Sequence, residues 1–381
     1  MLRRLATLTF CTSLTLPYIC SVQADEFERF LKNQQAGVEA IKNDYQAYKS
    51  RYLAAFENYK AEVEKEWQTA EFTNQEIWAS YSPDLQKKQV IDFAFNEIRL
   101  SYKGDNQPDK EQVATDIAGL ITLTQRQAVE TDPVNVKLMQ GRSRTNIPKE
   151  SLLGNVSAVY GSRIEALEKM SRAAVQYQEQ TEKGIVTIVK IPLAAELPIT
   201  RSEKFLPAAF EAAQKWQIEP ALIMAIAHTE SHFNPLARSH IPAFGLMQIV
   251  PATAGKDASK LIYGEAKLLT SEQLYNPEFN LQTGTAYLNM LQTRYLKGIK
   301  NPKSRLYCAI AAYNTGTGNV AKAFIGQASM QKSYQFINRL TPEQVFKVLR
   351  KGLPYEETRN YLSKVTNKLE HYRQILNHPE A

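Results

Sequence analysis

Cysteine is scarce in this chain, and what there is cannot be paired. Three occur, Cys11, Cys20 and Cys308. The first two lie in a leader-like segment, so one is left and no intrachain disulfide can form. Its setting, Tyr307-Cys-Ala-Ile-Ala-Ala312, is apolar and helical in pattern, which predicts a core thiol rather than a nucleophile. Long hydrophobic runs are also missing. Leu5 to Ile19 is mostly apolar but too short to span a bilayer comfortably, and no other run approaches that length. No Lys/Arg block interrupts the chain, which argues against a nucleic-acid-binding arm. Gly316 and Gly318 have neither a strand before them nor a lysine after them, so they do not make a phosphate loop. They are better suited to a tight turn beside a ligand.

The apolar run at the N-terminus reads as a secretory leader. Arg3 and Arg4 precede it, and Val22-Gln-Ala24 follows as a small-x-small cleavage site, predicting a mature start at Asp25. An export route to the periplasm follows. A lipid anchor on Cys20, at the outer membrane, is the alternative, although Pro17-Tyr-Ile19 ahead of that cysteine makes a poor lipobox. The formal charge is +7, and loss of the two leader arginines leaves 44 basic residues against 39 acidic ones, or +5. A mildly basic exported protein suits anionic surfaces such as wall polymer or lipid head groups.

Beyond the leader the pattern divides the chain at about residue 195. Residues 25 to 195 read as a mixed α and β domain. Tyr45, Tyr48, Tyr52, Phe56, Tyr59, Val63 and Trp67 recur in steps of three or four along one long helix, a packing stripe. Ile91, Phe93 and Phe95 alternate as a strand. Ile98, Leu100 and Tyr102 resume after a slip near Asn96-Glu97, where a bulge or turn is predicted. Residues 111–130 and 163–182 read as helices, 133–148 as loop, and Ile185, Thr187, Val189 and Ile191 as a second clean strand. Residues 196 to 381 are almost wholly helical, with helices predicted over 203–217, 219–229, 280–295, 305–313, 319–328, 341–351 and 356–376. The fold class expected is α+β, with a mainly helical second domain.

The candidate chemistry sits in that second domain. Ala225-Ile-Ala-His-Thr-Glu-Ser231 puts Glu230 at the end of an apolar helix. Burial there would raise its pKa toward neutrality, leaving a proton to donate. No second acidic residue occurs before Asp257, so a single carboxyl has to act as acid and then as base. A hydrolase would need a second carboxylate to hold water, with Asp257 or Glu265 the nearest in sequence. A metal site is the rival from another class. His228 and His232 are spaced i, i+4, with His240 a possible third ligand. A zinc protease, however, carries its glutamate directly after the first histidine. Here Glu230 comes two residues later, roughly 200° around the helix.

Glu230-Ser-His-Phe-Asn-Pro235, Ser239, Gly245-Leu-Met-Gln-Ile249, Pro251-Ala-Thr-Ala-Gly255, Ala312-Tyr-Asn314 and Pro354-Tyr-Glu-Glu-Thr-Arg-Asn-Tyr361 follow in that order. In order and spacing they resemble the Slt-type lytic transglycosylase family, relatives of goose-type lysozyme, over residues 200 to 375. Asp257-Ala-Ser259, Thr283-Gly-Thr-Ala-Tyr-Leu288 and the long first domain resemble the membrane-bound type C branch. The resemblance implies cleavage of the MurNAc-β-1,4-GlcNAc bond of peptidoglycan without water, leaving a 1,6-anhydro end. It implies Glu230 as the acid/base and Tyr361 as the phenol that orients it, with Tyr355 a substitute. Ser239, Met247, Gln248, Tyr313 and Asn314 would border the sugar groove. No metal or organic cofactor is implied. The partners expected are glycan strands, with peripheral contact to the outer membrane and no nucleic acid.

Overall fold

In the computed structural model the described residues are 18–105, 107–139 and 146–377, with side chains described from residue 39 onward except residue 41. The leader expected over 1–24 falls largely on residues 1–17, outside the described part, and the Cys20 side chain is likewise not described. A long helix, α1 (Tyr18–Glu66), leads into three strands, β1 (Ile77–Tyr81), β2 (Lys87–Asp92) and β3 (Glu97–Lys103). Five helices follow: α2 (Lys110–Thr122), α3 (Gln125–Glu130), α4 (Pro133–Leu138), α5 (Val156–Tyr160) and α6 (Arg163–Ala173). Strands β4 (Val175–Thr181) and β5 (Gly184–Pro192) complete an antiparallel sheet of order β1-β2-β3-β5-β4.

Register explains the alternation in sequence. Ile98 lies opposite both Ile91 and Ile191, and Leu100 opposite Val189, so one face is a continuous apolar layer. The other face carries charge. Arg99 bridges Glu71, Asp92 and Glu97 at 2.7, 3.0 and 2.8 Å, and Lys190 reaches Glu97 at 2.7 Å. The slip after Phe95 is a tight turn rather than a bulge. Asp92 accepts from the amides of Ala94 and Phe95, and the Phe95 ring is left at the tip, 77% exposed.

Several elements differ from the sequence pattern. The helix expected over 163–182 stops at Ala173, and Val175–Thr181 is an exposed edge strand. With no buried face, Val-Gln-Tyr-Gln-Glu-Gln-Thr shows none of the apolar alternation that marks a strand. The run 111–130 is two helices, divided where Thr124 and Gln127 form a capping box. Part of the expected loop 133–148 is the short helix α4, capped by Asp132.

From Leu197 on, the described chain is helical: α7 (Leu197–Glu203), α8 (Leu206–Trp216), α9 (Pro220–Ser231), α10 (Lys256–Tyr263), α11 (Ser271–Leu274), α12 (Pro277–Met290), α13 (Pro302–Thr315), α14 (Thr317–Ile325), α15 (Met330–Ile337), α16 (Pro342–Gly352) and α17 (Glu356–Asn377). Single π-helical turns lie at Pro251–Gly255 and Leu291–Tyr295. Pro220 opens α9, where its missing N–H costs nothing. Ala221 through Ala227 are all buried, so α9 is apolar all round and runs through the middle of the domain. It packs against α8, α12 and α17.

The stripe on α1 is buried from Tyr45 through Trp67, with Phe56 partly covered. It packs partly on its own domain and partly on the helical one. Tyr48 and Tyr52 both meet Phe244 edge-on, at 6.3 and 5.9 Å between ring centres. The apolar cores of the two halves are therefore continuous.

Candidate active site

Glu230 is one residue from the end of α9, and its side chain is 7% exposed. Burial pushes its carboxyl up to about 8. A hydrogen bond from Tyr361 works the other way, and the charge of Glu357 adds to the rise. The Tyr361 hydroxyl donates to Glu230 Oε1 at 2.7 Å, from the second turn of α17. At neutral pH the carboxyl is thus protonated and aimed.

The turn after α9 is fixed by backbone geometry. His232 adopts a left-handed conformation (φ 48°) and ends the helix. Ser231 Oγ donates to the carbonyls of Ala227 and Leu246, at 2.9 and 2.8 Å, tying the helix end to the segment 245–249. Gly245 has φ 76°, and a Cβ there would lie 2.3 Å from both Asn280 Nδ2 and the Leu274 carbonyl. Asn280 fills the space glycine leaves. Its Nδ2 donates to the carbonyls of Phe244 and Leu274, and its Oδ1 accepts from the Met247 amide, each at 2.8 Å.

The residues expected around the groove have these positions. Tyr313 donates to the Met247 carbonyl at 2.8 Å and lies within electrostatic reach of Glu230. Asn314 Oδ1 accepts from Thr358 Oγ1 at 2.7 Å, one turn before Tyr361 on α17. Gln248, at φ 47°, donates through Nε2 to the Gly245 carbonyl at 3.0 Å, while its buried Oε1 has no partner among the described residues. Met247 is fully buried, its side chain against Gly284. Ser239 is partly exposed and donates through Oγ to the Ile241 carbonyl. Tyr355 is 59% exposed just before α17, and the bond to Glu230 comes from Tyr361.

Of the spaced histidines, one is already engaged. His228 Nδ1 pairs with the Tyr372 hydroxyl at 3.0 Å, and burial pulls its pKa down to about 3. Burial pulls His232 to about 4. Among the described residues no cluster of His, Cys, Asp and Glu is arranged to hold a metal. Cys308 is fully buried in α13, and burial pushes its thiol pKa up.

The profile of the transglycosylase SLT domain matches residues 207–336. Over 304 residues the chain is 37% identical to the membrane-bound lytic murein transglycosylase C of Yersinia pestis (strain Pestoides F), covering 78% of this chain and 82% of that protein. The chain belongs to the membrane-bound lytic murein transglycosylase C family. Family members from Histophilus somni (strain 2336) and Sodalis glossinidius (strain morsitans) are 40% and 44% identical over 205 and 174 residues. Those matches cover 53% and 46% of this chain, and the chain spans about half the length of each of the two relatives (55% and 48%). Among solved structures, a lytic transglycosylase Slt from Pseudomonas aeruginosa is 22% identical with a TM-score of 0.40, covering 70% of this chain and 36% of that one.

In this member of the murein transglycosylase C family, linear reading passes over four residues. Ser231, Asn280 and Thr358 tie the segments around Glu230 together. Glu357, an exposed residue on α17, is the acidic side chain whose charge registers at Glu230. It lies within the Pro354–Tyr361 motif, in which only Tyr355 and Tyr361 were assigned roles. Asp257 and Glu265, the nearest acids along the chain, are engaged with Tyr295 (2.8 Å) and Lys267 (2.9 Å).

Proposed function

We propose that this chain is a peptidoglycan lytic transglycosylase that cleaves the MurNAc-β-1,4-GlcNAc bond without water. The observation that carries the reading is the buried, protonated Glu230 held by the Tyr361 hydroxyl. Glu230 gives its proton to the glycosidic oxygen as the C–O bond breaks. The substrate's acetamido oxygen stabilises the positive charge at the anomeric carbon. The muramic 6-hydroxyl then attacks that carbon, closing the 1,6-anhydro ring, and its proton returns to the Glu230 carboxylate. Holding the hydroxyl in reach replaces a bimolecular water attack with an intramolecular one.

In this reading Ser239, Gln248, Tyr313 and Asn314 line the sugar groove, Met247 supports its floor and Tyr355 stands at its rim. Tyrosine and asparagine offer flat surfaces with hydrogen-bonding atoms, which suits sugar. The site of action is the periplasm. Relatives are named membrane-bound, which supports a peripheral membrane contact; that it is the outer membrane is part of this proposal. No helix among the described residues is long and apolar enough to cross a membrane.

A hydrolytic muramidase is the second reading, and Glu357 is the observation that favours it, as a second carboxylate within electrostatic range of Glu230. Digestion of purified sacculi followed by product masses separates the two. Transglycosylation gives muropeptides lighter by one water than the reducing ends a hydrolase makes. Reducing ends alone would refute the transglycosylase reading.

A further inference from the structure

The segment that carries Ser239 is not held by the helical domain alone. It is a small loop closed on itself: Ser239 N donates to the Ala243 carbonyl at 3.1 Å, Gly245 N donates to the Ala237 carbonyl at 2.8 Å, and Phe244 bridges to both Arg238 and Ile249. Its outer side is gripped by the first domain at two points. Arg238 Nη1 donates to Asp132 Oδ1 at 2.9 Å, with side-chain exposures of 2% and 9%. One residue on, the Tyr52 hydroxyl donates to the Ser239 carbonyl at 3.1 Å. Tyr48 and Tyr52 from α1 and Tyr275 from the helical domain meet Phe244 edge-on and close the loop's inner side.

Asp132 is itself fixed, because the same Oδ1 accepts the Asn135 amide at 2.8 Å and caps α4. Burial works against the charge of Arg238. Asp132, together with Tyr52 and Tyr275, outweighs this, and the guanidinium pKa is raised. A buried ion pair of this kind adds little to stability, and one use of such a pair is to fix a register. Here the register is that of the Ser239 loop against the rest of the groove.

We infer that Asp132 and Tyr52, in the first domain, are positioning residues for the sugar site: through Arg238 and the Ser239 carbonyl they fix the loop that contacts the substrate. This rests on the transglycosylase reading above, in which Ser239 faces the sugar.

The test uses the full chain carrying Tyr52→Phe or Asp132→Asn, alongside wild type and Glu230→Gln, on a soluble peptidoglycan oligosaccharide. Tyr52→Phe removes one hydroxyl and keeps the ring. Its KM should rise about two- to tenfold, the worth of one hydrogen bond, with a smaller change in kcat and the pH profile of kcat/KM unmoved. Amide exchange should accelerate from Ser239 to Phe244 and stay at wild-type rates in α9. Asp132→Asn should move both readouts further in the same direction. If it fails to fold, Tyr52→Phe decides alone. A folded Tyr52→Phe protein with wild-type KM overturns the inference. So does wild-type exchange in the loop, even with a lowered melting temperature. An active Glu230→Gln protein instead defeats the functional reading, and the loop exchange still judges the clamp.

Discussion

Tyr361 and Glu230 are 131 positions apart in sequence and 2.7 Å apart in space, joined by one hydrogen bond from phenol to carboxyl. Two opposed effects meet at that bond. Burial raises the carboxyl pKa and the phenol's hydrogen bond lowers it, with burial the larger effect. The result is an acid that keeps its proton at neutral pH and can still release it.

Glu230→Gln should lower turnover by about a hundredfold or more, because an amide cannot serve as the acid. The amide keeps an oxygen for Tyr361 to donate to, so the fold and wall binding should persist. Sacculus digestion and circular dichroism, measured together, check both halves.

The same substitution should stabilise the protein above pH 4.5. The folded pKa of Glu230, about 8, lies above its ordinary value of 4.5. The folded state therefore holds a proton that the unfolded state gives up. Stability from this group is complete below pH 4.5, declines as pH rises toward 8, and levels off beyond. Glutamine carries no such penalty. Its advantage at pH 7 should be on the order of 2–3 kcal/mol. Melting temperatures of both proteins from pH 4 to 9 should diverge across that window. Parallel curves would mean Glu230 is not buried as described.

Tyr361→Phe should shift the pH–rate profile. Removing a bond that lowers the pKa of Glu230 moves it further up, so the alkaline limb of kcat/KM should lie at higher pH than in wild type. The rate at the optimum should fall about tenfold or more, because the acid is no longer aimed. An unmoved alkaline limb would separate Tyr361 from the proton of Glu230.

Gly245→Ala should be costly far out of proportion to one methyl group. The residue sits at φ 76°, and the new carbon would meet Asn280 Nδ2 and the Leu274 carbonyl. Strain and displacement together should cost about 2–4 kcal/mol. Chemical denaturation measures it, and a wild-type midpoint would contradict the packing described.

A chelator should leave activity unchanged. His228 is paired with Tyr372, and among the described residues no group of three or more His, Cys, Asp and Glu side chains is placed to hold an ion. Loss of turnover in EDTA, restored by zinc, would reopen the metal reading.

The helical half was readable because its helices have strong local markers. Pro220 opens α9 and Thr341 with Gln344 boxes the start of α16, whereas the helix expected over 319–328 ends at Ile325, where Gly326 caps it in a left-handed conformation. Glu230 could be read from its apolar approach. Strand β4 could not, since an edge strand exposed on both faces carries no apolar period. The coupling of Glu357 to Glu230 and the Asp132–Arg238 pair were also hidden. Charges that meet only after distant segments dock leave no spacing in sequence. Asp132 preceded a segment read as loop, and in the structure it also caps α4.

Helix α17 supplies both Tyr361 and Thr358, and it lies along α9. A molecule in which that helix has not yet seated would carry at position 230 a hydrated, ionised side chain with nothing to aim it. Seating α17 against α9 and orienting the side chain at position 230 are therefore a single event.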